Sequence, residues 1–505
     1  MNKKGFTLIE ILAVIVVISI VAVIASPLVS SVIEETRRDA FEDSVYGLIK
    51  AVDMYKAEQG FNVNVTFTVS NGKINPILDT KGSINGTGTI ILNDDGLIYV
   101  SIAYDKWCAS KEYDKTKITI TEGSCVSNSD ISGANPPTLL NNMIAVRWDG
   151  SKWVKADYRN PATNPWYTYG ITNETRNWAN AVVVKESGIK TRKYYLSDSA
   201  KGNEVFESDI LAYFVWIPRY NYAIPAGTGA RTISIRFENG VANKQTGSGV
   251  GTSYLTHPAF TMGNDELTGI WVSKFEVGGT TNLVTVKPGI KALNNEVLAG
   301  YHDAAMTMQL TNNAYGFVAS QAEVHVIKNN EWSAVAYLSQ SEFGKNAQIW
   351  KNPSTDLITG CAGTTANAAA SSGCSNIYTS VNGQQASTTG NVYGIYDMVG
   401  GGIDIVMGNY NNNAGGSGFY TFPNGKYYNQ YLTSSEATAC AGSPCLGHAL
   451  SETSGWYSGV ANMPDLYSPW MIRGGSTASG SIFSYDKLSG TDMGNVTTHF
   501  VVSKK

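Results

Sequence analysis

The chain opens Met1-Asn2-Lys3-Lys4-Gly5, and from Phe6 to Ser26 it then reads FTLIEILAVIVVISIVAVIAS with a single charge, Glu10. A membrane-spanning helix needs roughly 20 mostly apolar residues, each rising about 1.5 Å, and this run is just long enough. A carboxylate at the centre of a bilayer costs about 2.5–3.5 kcal/mol, so Glu10 is expected to have a partner. A secretory signal peptide would place small residues at a cleavage site after its apolar core. Here the glycine precedes the core, and Lys3 and Lys4 fit the positive-inside bias for a cytoplasmic leader.

The basic leader ending at Gly5, the segment Phe6-Thr7-Leu8-Ile9-Glu10 and Pro27 closely resemble the class III leader of type IV prepilins and their pseudopilin relatives. The resemblance implies cleavage by a prepilin peptidase between Gly5 and Phe6, N-methylation of Phe6, and an assembly role for Glu10 and Pro27. It covers residues 1–60. It also implies other pilins, the assembly machinery and the inner membrane as partners, with the C-terminus outside the cytoplasmic membrane before the chain joins an extracellular pilus.

Charged residues make up only 15% of the 505, while Gly reaches 51 and Tyr 28. An average soluble domain holds roughly 25% charged residues, so this profile suits a loop-rich, β-containing extracellular chain better than a cytosolic enzyme. The net charge of −4 supplies no long-range field that would draw nucleic acid. No second apolar run of membrane length follows the first. Six cysteines fall in three close pairs, Cys108 with Cys125, Cys361 with Cys374 and Cys440 with Cys445. Six allow many connectivities, which sequence does not settle. Export makes disulfides feasible, and nearest-neighbour pairing leaves no spare thiol. Zinc is the competing reading, but no C-x-x-C spacing supports it.

From Pro27 the chain continues with apolar residues at helical spacing, including Phe41, Val45, Leu48, Ile49 and Val52, and Gly60 is a stop signal. The first helix is therefore expected over residues 6–60. VNVTFTV, TIILND, LIYVSIAY and KITITEG then alternate or are β-branched, separated by N-G, N-D-D-G and D-K turns, which predicts a small antiparallel sheet over 61–127. The polar stretch around Pro136-Pro137 reads as a linker, residues 128–140. Residues 141–505 are expected to form a second domain of short strands and long Gly/Ser/Asn-rich loops. The fold class is α+β.

Within that domain, Gly394-Ile395-Tyr396-Asp397-Met398-Val399-Gly400 and Arg473-Gly474-Gly475-Ser476 resemble, in that order, segments of formylglycine-generating-enzyme-like (sulfatase-modifying-factor) domains, and the earlier Asn330-Glu331-Trp332 with AVAYLS resembles a segment of bacterial surface proteins that bear this domain. The resemblance implies a C-type-lectin-like fold over about residues 200–500. Catalytic relatives bind copper through two cysteines after the R-G-G-S segment, and this chain has none past Ser476. A histidine cluster of the iron-dependent branch does not occur among His257, His302, His325, His448 and His499. Neither metal chemistry finds its ligands, so the expectation is not an enzyme, with no cofactor. The family's calcium segment corresponds to Gly400–Ile405, where Asp404 is the one carboxylate, short of the six to eight oxygens calcium takes. Asp397 reads equally well as a local turn-former.

Tyr and Trp are dense from residue 140 onward, as in WVKADYRNPATNPWYTYG and GFYTFPNGKYYNQYL, and serve either as recognition surface or as core. The stretch after Ser476 offers Phe483, Tyr485 and Asp486, and in an extended segment the two rings share one face. These three are the candidate ligand-binding residues. The function expected is a minor or tip-proximal type IV pilus subunit displaying a lectin-like domain toward an unknown protein or glycan on a surface. The alternatives are a decorated major pilin, a secretion-system pseudopilin, and a pilin-anchored exported enzyme.

Overall fold

A computed structural model describes residues 8–59, 65–70, 72–80, 86–92, 98–111, 116–122, 134–156, 166–441, 445–475 and 480–505, with side chains of the first helix described from residue 33 onward. The chain divides into two compact units, Met1–Ser129 and Asp130–Lys505.

The first unit consists of helix α1 (Leu8–Gln59) and strands β1 (Val65–Ser70), β2 (Lys73–Asn75), β3 (Thr87–Leu92), β4 (Ile98–Tyr104), β5 (Trp107–Lys111) and β6 (Thr119–Glu122). The sheet order is β2-β1-β3-β4-β5-β6, antiparallel at every step. Phe41, Val45, Leu48 and Val52 recur every three or four residues, so they share one stripe of α1. That stripe packs on Phe67, Val69, Ile90, Leu92, Val100 and Ile102, alternate residues of their strands, in one core. Each such burial contributes about 1.5–3 kcal/mol. Across the same interface, the Ile118 N–H donates to the Tyr46 hydroxyl at 3.3 Å.

The second unit is β-rich. A seven-stranded antiparallel sheet runs in the order Ala322–Val326, Phe500–Lys504, Gly269–Ser273, Ile210–Pro218, Asn180–Val184, Ile144–Trp148, Trp153–Lys155. All nine residues of the central strand Ile210–Pro218 are buried, so both faces of the sheet are covered and the strand reads as an apolar run rather than an alternation. A second sheet joins Asn429–Tyr431, Ile403–Tyr410, Trp470–Arg473 and Tyr485–Leu488, with Val496–Thr497 pairing parallel to Ile403–Tyr410. Helix Asn329–Ser339, buried over all eleven residues, belongs to the same core.

Aromatic side chains hold this loop-rich unit together. The buried indoles of Trp178, Trp332 and Trp470 donate to the carbonyls of Phe343, Ile482 and Ala414 at 2.8, 2.9 and 2.9 Å. Each ring fills core volume while its N–H donates to a loop carbonyl and ties that loop to the core. Most of the tryptophans are therefore core, not recognition surface.

Part of the expected linker belongs to this unit. Asn135 is buried; its Oδ1 accepts from the Gly240 N–H at 2.6 Å and its Nδ2 donates to the Gly240 carbonyl at 3.2 Å. Trp216 and Trp271 donate to the carbonyls of Asn135 and Thr138 at 3.3 and 2.8 Å. Residues 134–140 are thus tied to the domain by side-chain bonds to its backbone, which a polar Pro-Pro composition does not reveal. Residues 128–133 of that segment lie outside the described residues.

Candidate functional site

The processing residues Gly5 and Phe6 lie outside the described residues, as do the side chains of Glu10 and Pro27. The backbone at Glu10 and Pro27 belongs to α1, whose 52 residues span about 80 Å at 1.5 Å rise. Among the described residues no helix is long and apolar enough to cross a membrane.

Two of the three expected cysteine pairs are formed, Cys361–Cys374 and Cys440–Cys445. Cys108 is also disulfide-bonded, and its expected partner Cys125 lies outside the described residues.

The Gly394–Gly400 segment is held by charges that sequence reasoning passed over. Lys274 is fully buried, and its Nζ donates to the carbonyls of Val392 and Gly394 at 2.6 and 2.8 Å and to Asn180 Oδ1 at 2.9 Å. Burial pushes its ammonium well below the usual lysine range. Two residues on, buried Glu276 accepts from the Gly402 N–H at 2.9 Å. The available signal was two charges, two residues apart, inside the apolar run IWVSKFEV.

Asp397 sits at φ 62° and accepts from the Gly360 N–H and Asn352 Nδ2, each at 2.9 Å. It is a buried turn residue that ties three segments. Burial raises its carboxyl to about 6. Asp404 lies 2.7 Å from His499 Nδ1, and that pairing outweighs the burial penalty to raise the imidazole above its ordinary range. Burial and the neighbouring Asp397 and Asp404 charges hold the Glu276 carboxyl well above its usual range. Asp404 therefore faces an imidazole, and among the described residues no group of three or more His, Cys, Asp or Glu side chains is arranged to hold a metal ion.

The expected attachment face looks different from its sequence. Phe483 and Tyr485 are both 1% exposed, so they form no aromatic platform on the surface. The Ser484 N–H bonds the Ser481 carbonyl at 2.9 Å, and the Phe483 N–H bonds Ser481 Oγ at 3.2 Å. This turn interrupts the extended backbone on which the shared face depended; the strand begins only at Tyr485. Phe483 packs edge-on against Trp456 at 5.0 Å, and the Tyr485 hydroxyl donates to Glu436. Beneath Tyr485 lies Arg473, fully buried, which donates to Asn329 Oδ1 at 2.7 Å and to the carbonyls of His448 and Ala449 at 2.6 and 3.1 Å. Burial lowers its guanidinium to about 10. Asp486 stays half-exposed, accepting from Asn462 Nδ2 at 3.1 Å. It borders a cavity of about 140 Å³ that Ile403, Val460, Ile472, Gly475, Ser484 and Tyr485 also line. This hollow is too small for more than a ligand's edge.

Residues 1–26 match the family model described as the prokaryotic N-terminal methylation motif. No curated protein matches the chain. The chain thus carries a type IV prepilin-like N-terminus, which implies peptidase processing, membrane insertion and pilus-type assembly in general terms.

Proposed function

We propose that the chain is a type IV pilus subunit, minor or tip-proximal, whose second unit is a lectin-like domain that attaches the filament to a surface. The observation that carries this reading is the N-terminus itself: a basic leader closed by Gly5, then Phe6 and an apolar run broken only by Glu10, matched as a methylation motif. In this reading the chain enters the cytoplasmic membrane with residues 130–505 outside, loses its leader to a prepilin peptidase and moves into a filament.

The minor or tip-proximal position rests on sterics. A second unit reaching from Asp130 to Lys505 on every subunit would crowd a close-packed helical array. The lectin-like reading rests on the order of the Asn330, Gly394 and Arg473 segments along the chain. Cys361, Cys374, Cys440 and Cys445 are tied in disulfides, so none of these four supplies a thiolate.

The test is incorporation. In bundled helices the Glu10 carboxylate is costly unless paired, and the new amine of a neighbouring Phe6 is its natural partner. The full chain should appear in the sheared-filament fraction of cells with a pilus assembly system. The Glu10→Ala variant should be inserted and processed normally yet be depleted from filaments. Equal incorporation of the variant would remove the pairing. A native chain that never leaves the envelope would favour the secretion pseudopilin instead.

A further inference from the structure

Two segments of the second unit meet on the buried indole of Trp470, and a third is tied to them beside it. Its Nε1 donates to the Ala414 carbonyl at 2.9 Å, Phe422 stacks on it at 5.6 Å with 14° between planes, and Asn413 Nδ2 reaches the Leu466 carbonyl at 2.7 Å. On this base Tyr428 and the turn carrying Tyr467 are held in place. Tyr428 packs on Phe422 at 5.3 Å, and its hydroxyl donates to Asn412 Oδ1 at 2.7 Å. Asp465 Oδ1 accepts the N–H groups of Tyr467 and Ser468 at 2.9 and 2.8 Å, fixing the turn that presents Tyr467. Tyr420 is 105% exposed and Tyr467 84%. Among the described residues of the second unit these two tyrosines stand out as strongly exposed, and the turn under Tyr467 is fixed by Asp465.

The polar groups around these rings are amides. Asn411 and Asn412 both adopt left-handed backbone, at φ 50° and 56°, a costly arrangement that turns consecutive side chains outward at the surface. Asn412 accepts from Tyr428 through Oδ1 only, and Asn424 accepts from the Lys426 N–H through Oδ1 only, at 3.1 Å. Among the described residues neither Nδ2 has a protein partner. Residues 411–430 and 465–470 contain two charged side chains, and both are paired: Lys426 with Glu323 at 2.6 Å and Asp465 with Lys487 at 2.5 Å. An ionic ligand meets no open counter-charge here.

We propose that this surface binds a neutral, hydroxyl-rich polysaccharide, with Tyr420 and Tyr467 as stacking rings and Asn411, Asn412 and Asn424 as the hydrogen-bonding edge. The apolar C–H face of a pyranose lies flat on an amphipathic ring, while an amide offers a hydroxyl both a donor and an acceptor. The Asp465 turn that carries Tyr467 lowers the entropy lost on binding. A protein partner is met instead by a packed apolar centre with arginine anchors, whereas these rings stand among amides and glycines. The inference rests on the reading of the second unit as the attaching part and supplies its ligand class.

The experiment uses the full chain in detergent against immobilised mannan, dextran and chitin, with heparin as an anionic probe and gelatin as a protein probe. At least one neutral polysaccharide should retain the chain, and added salt should not release it. The Tyr420→Ala/Tyr467→Ala double variant should bind at least about ten-fold more weakly with an unchanged thermal midpoint, because both rings are outside the core. Asn412→Ala should weaken binding in the same direction. Unchanged polysaccharide binding by the double variant would overturn the site while leaving surface attachment standing. Retention only on gelatin or heparin, or on none of the probes, would overturn the ligand class. Neither outcome bears on filament incorporation, which the Glu10 comparison reads separately.

Discussion

Lys274 and His448 show how single buried groups hold the loops of the second unit. Lys274 satisfies two carbonyls of the 392–394 segment and the Asn180 amide. Replacing it by Met removes a costly buried ammonium but leaves three acceptors without donors, and the second loss is larger. Lys274→Met should lower stability by about 2–4 kcal/mol, read as a shift of the urea midpoint at unchanged slope. An unmoved midpoint would contradict this role. His448 belongs to a relay in which Asn329 Nδ2 donates to the Tyr431 hydroxyl at 2.6 Å and that hydroxyl donates to His448 Nδ1 at 2.8 Å, an assignment set by the network. Protonating Nδ1 would remove the acceptor of the Tyr431 hydroxyl proton within a buried site. Burial first, then the Arg473 and Lys328 charges, lowers this imidazole from 6.5 to about 3. The folded value lies below the unfolded one, so its contribution is complete above about pH 6.5 and is lost as pH falls toward 3, at about 1.4 kcal/mol per pH unit. His448→Gln should flatten the fall of the thermal midpoint across that window. Identical profiles for variant and native chain would refute the assignment. The sequence displayed these residues but not their partners: each bond joins positions far apart in the chain.

Helix α1 and its sheet were legible because both elements are amphipathic. The spacing of Phe41, Val45, Leu48 and Val52 fits a helical stripe, and VTFTV alternates as a strand with one face on the core, while Ile98–Ile102 is buried throughout. Leu48→Ala should therefore cost about 2–5 kcal/mol, seen as earlier unfolding of the first unit by hydrogen exchange. Exchange that stays as slow as in the native chain would contradict the packing. Periodicity failed where a turn intervenes. Phe483 and Tyr485 share a face only on continuous strand, and the Ser481 turn breaks it. It also failed where polar composition was taken as freedom, since Asn135 is buried by its bonds to Gly240. Close cysteines were a better guide, because a short closed loop constrains the unfolded chain whatever its surroundings. The Cys361–Cys374 bond closes a separation of 13 residues, and its loss should cost about 3 kcal/mol. Peptide mapping without reductant should recover 361–374 and 440–445, together with 108–125; free thiols or other pairings would overturn that connectivity.

As a whole, the molecule joins an N-terminus matched as a prepilin-type motif to a first unit of helix and sheet and to a larger β-rich second unit. Low charge and abundant Gly pointed to long loops, and the dense Tyr and Trp left recognition surface and core both open. That several indoles hold loops by donating to their carbonyls is a property of tertiary contact, invisible in composition. The first residues remain decisive for function, because the display reading requires that the leader be removed and the new amine exposed. Intact-mass measurement of the exported chain tests this directly. Removal of residues 1–5 from the 505 should leave 500 residues beginning at Phe6, carrying one methyl group on the amino terminus. Retention of Met1, or cleavage beyond Ser26, would contradict a prepilin origin and with it the filament-borne display of the second unit.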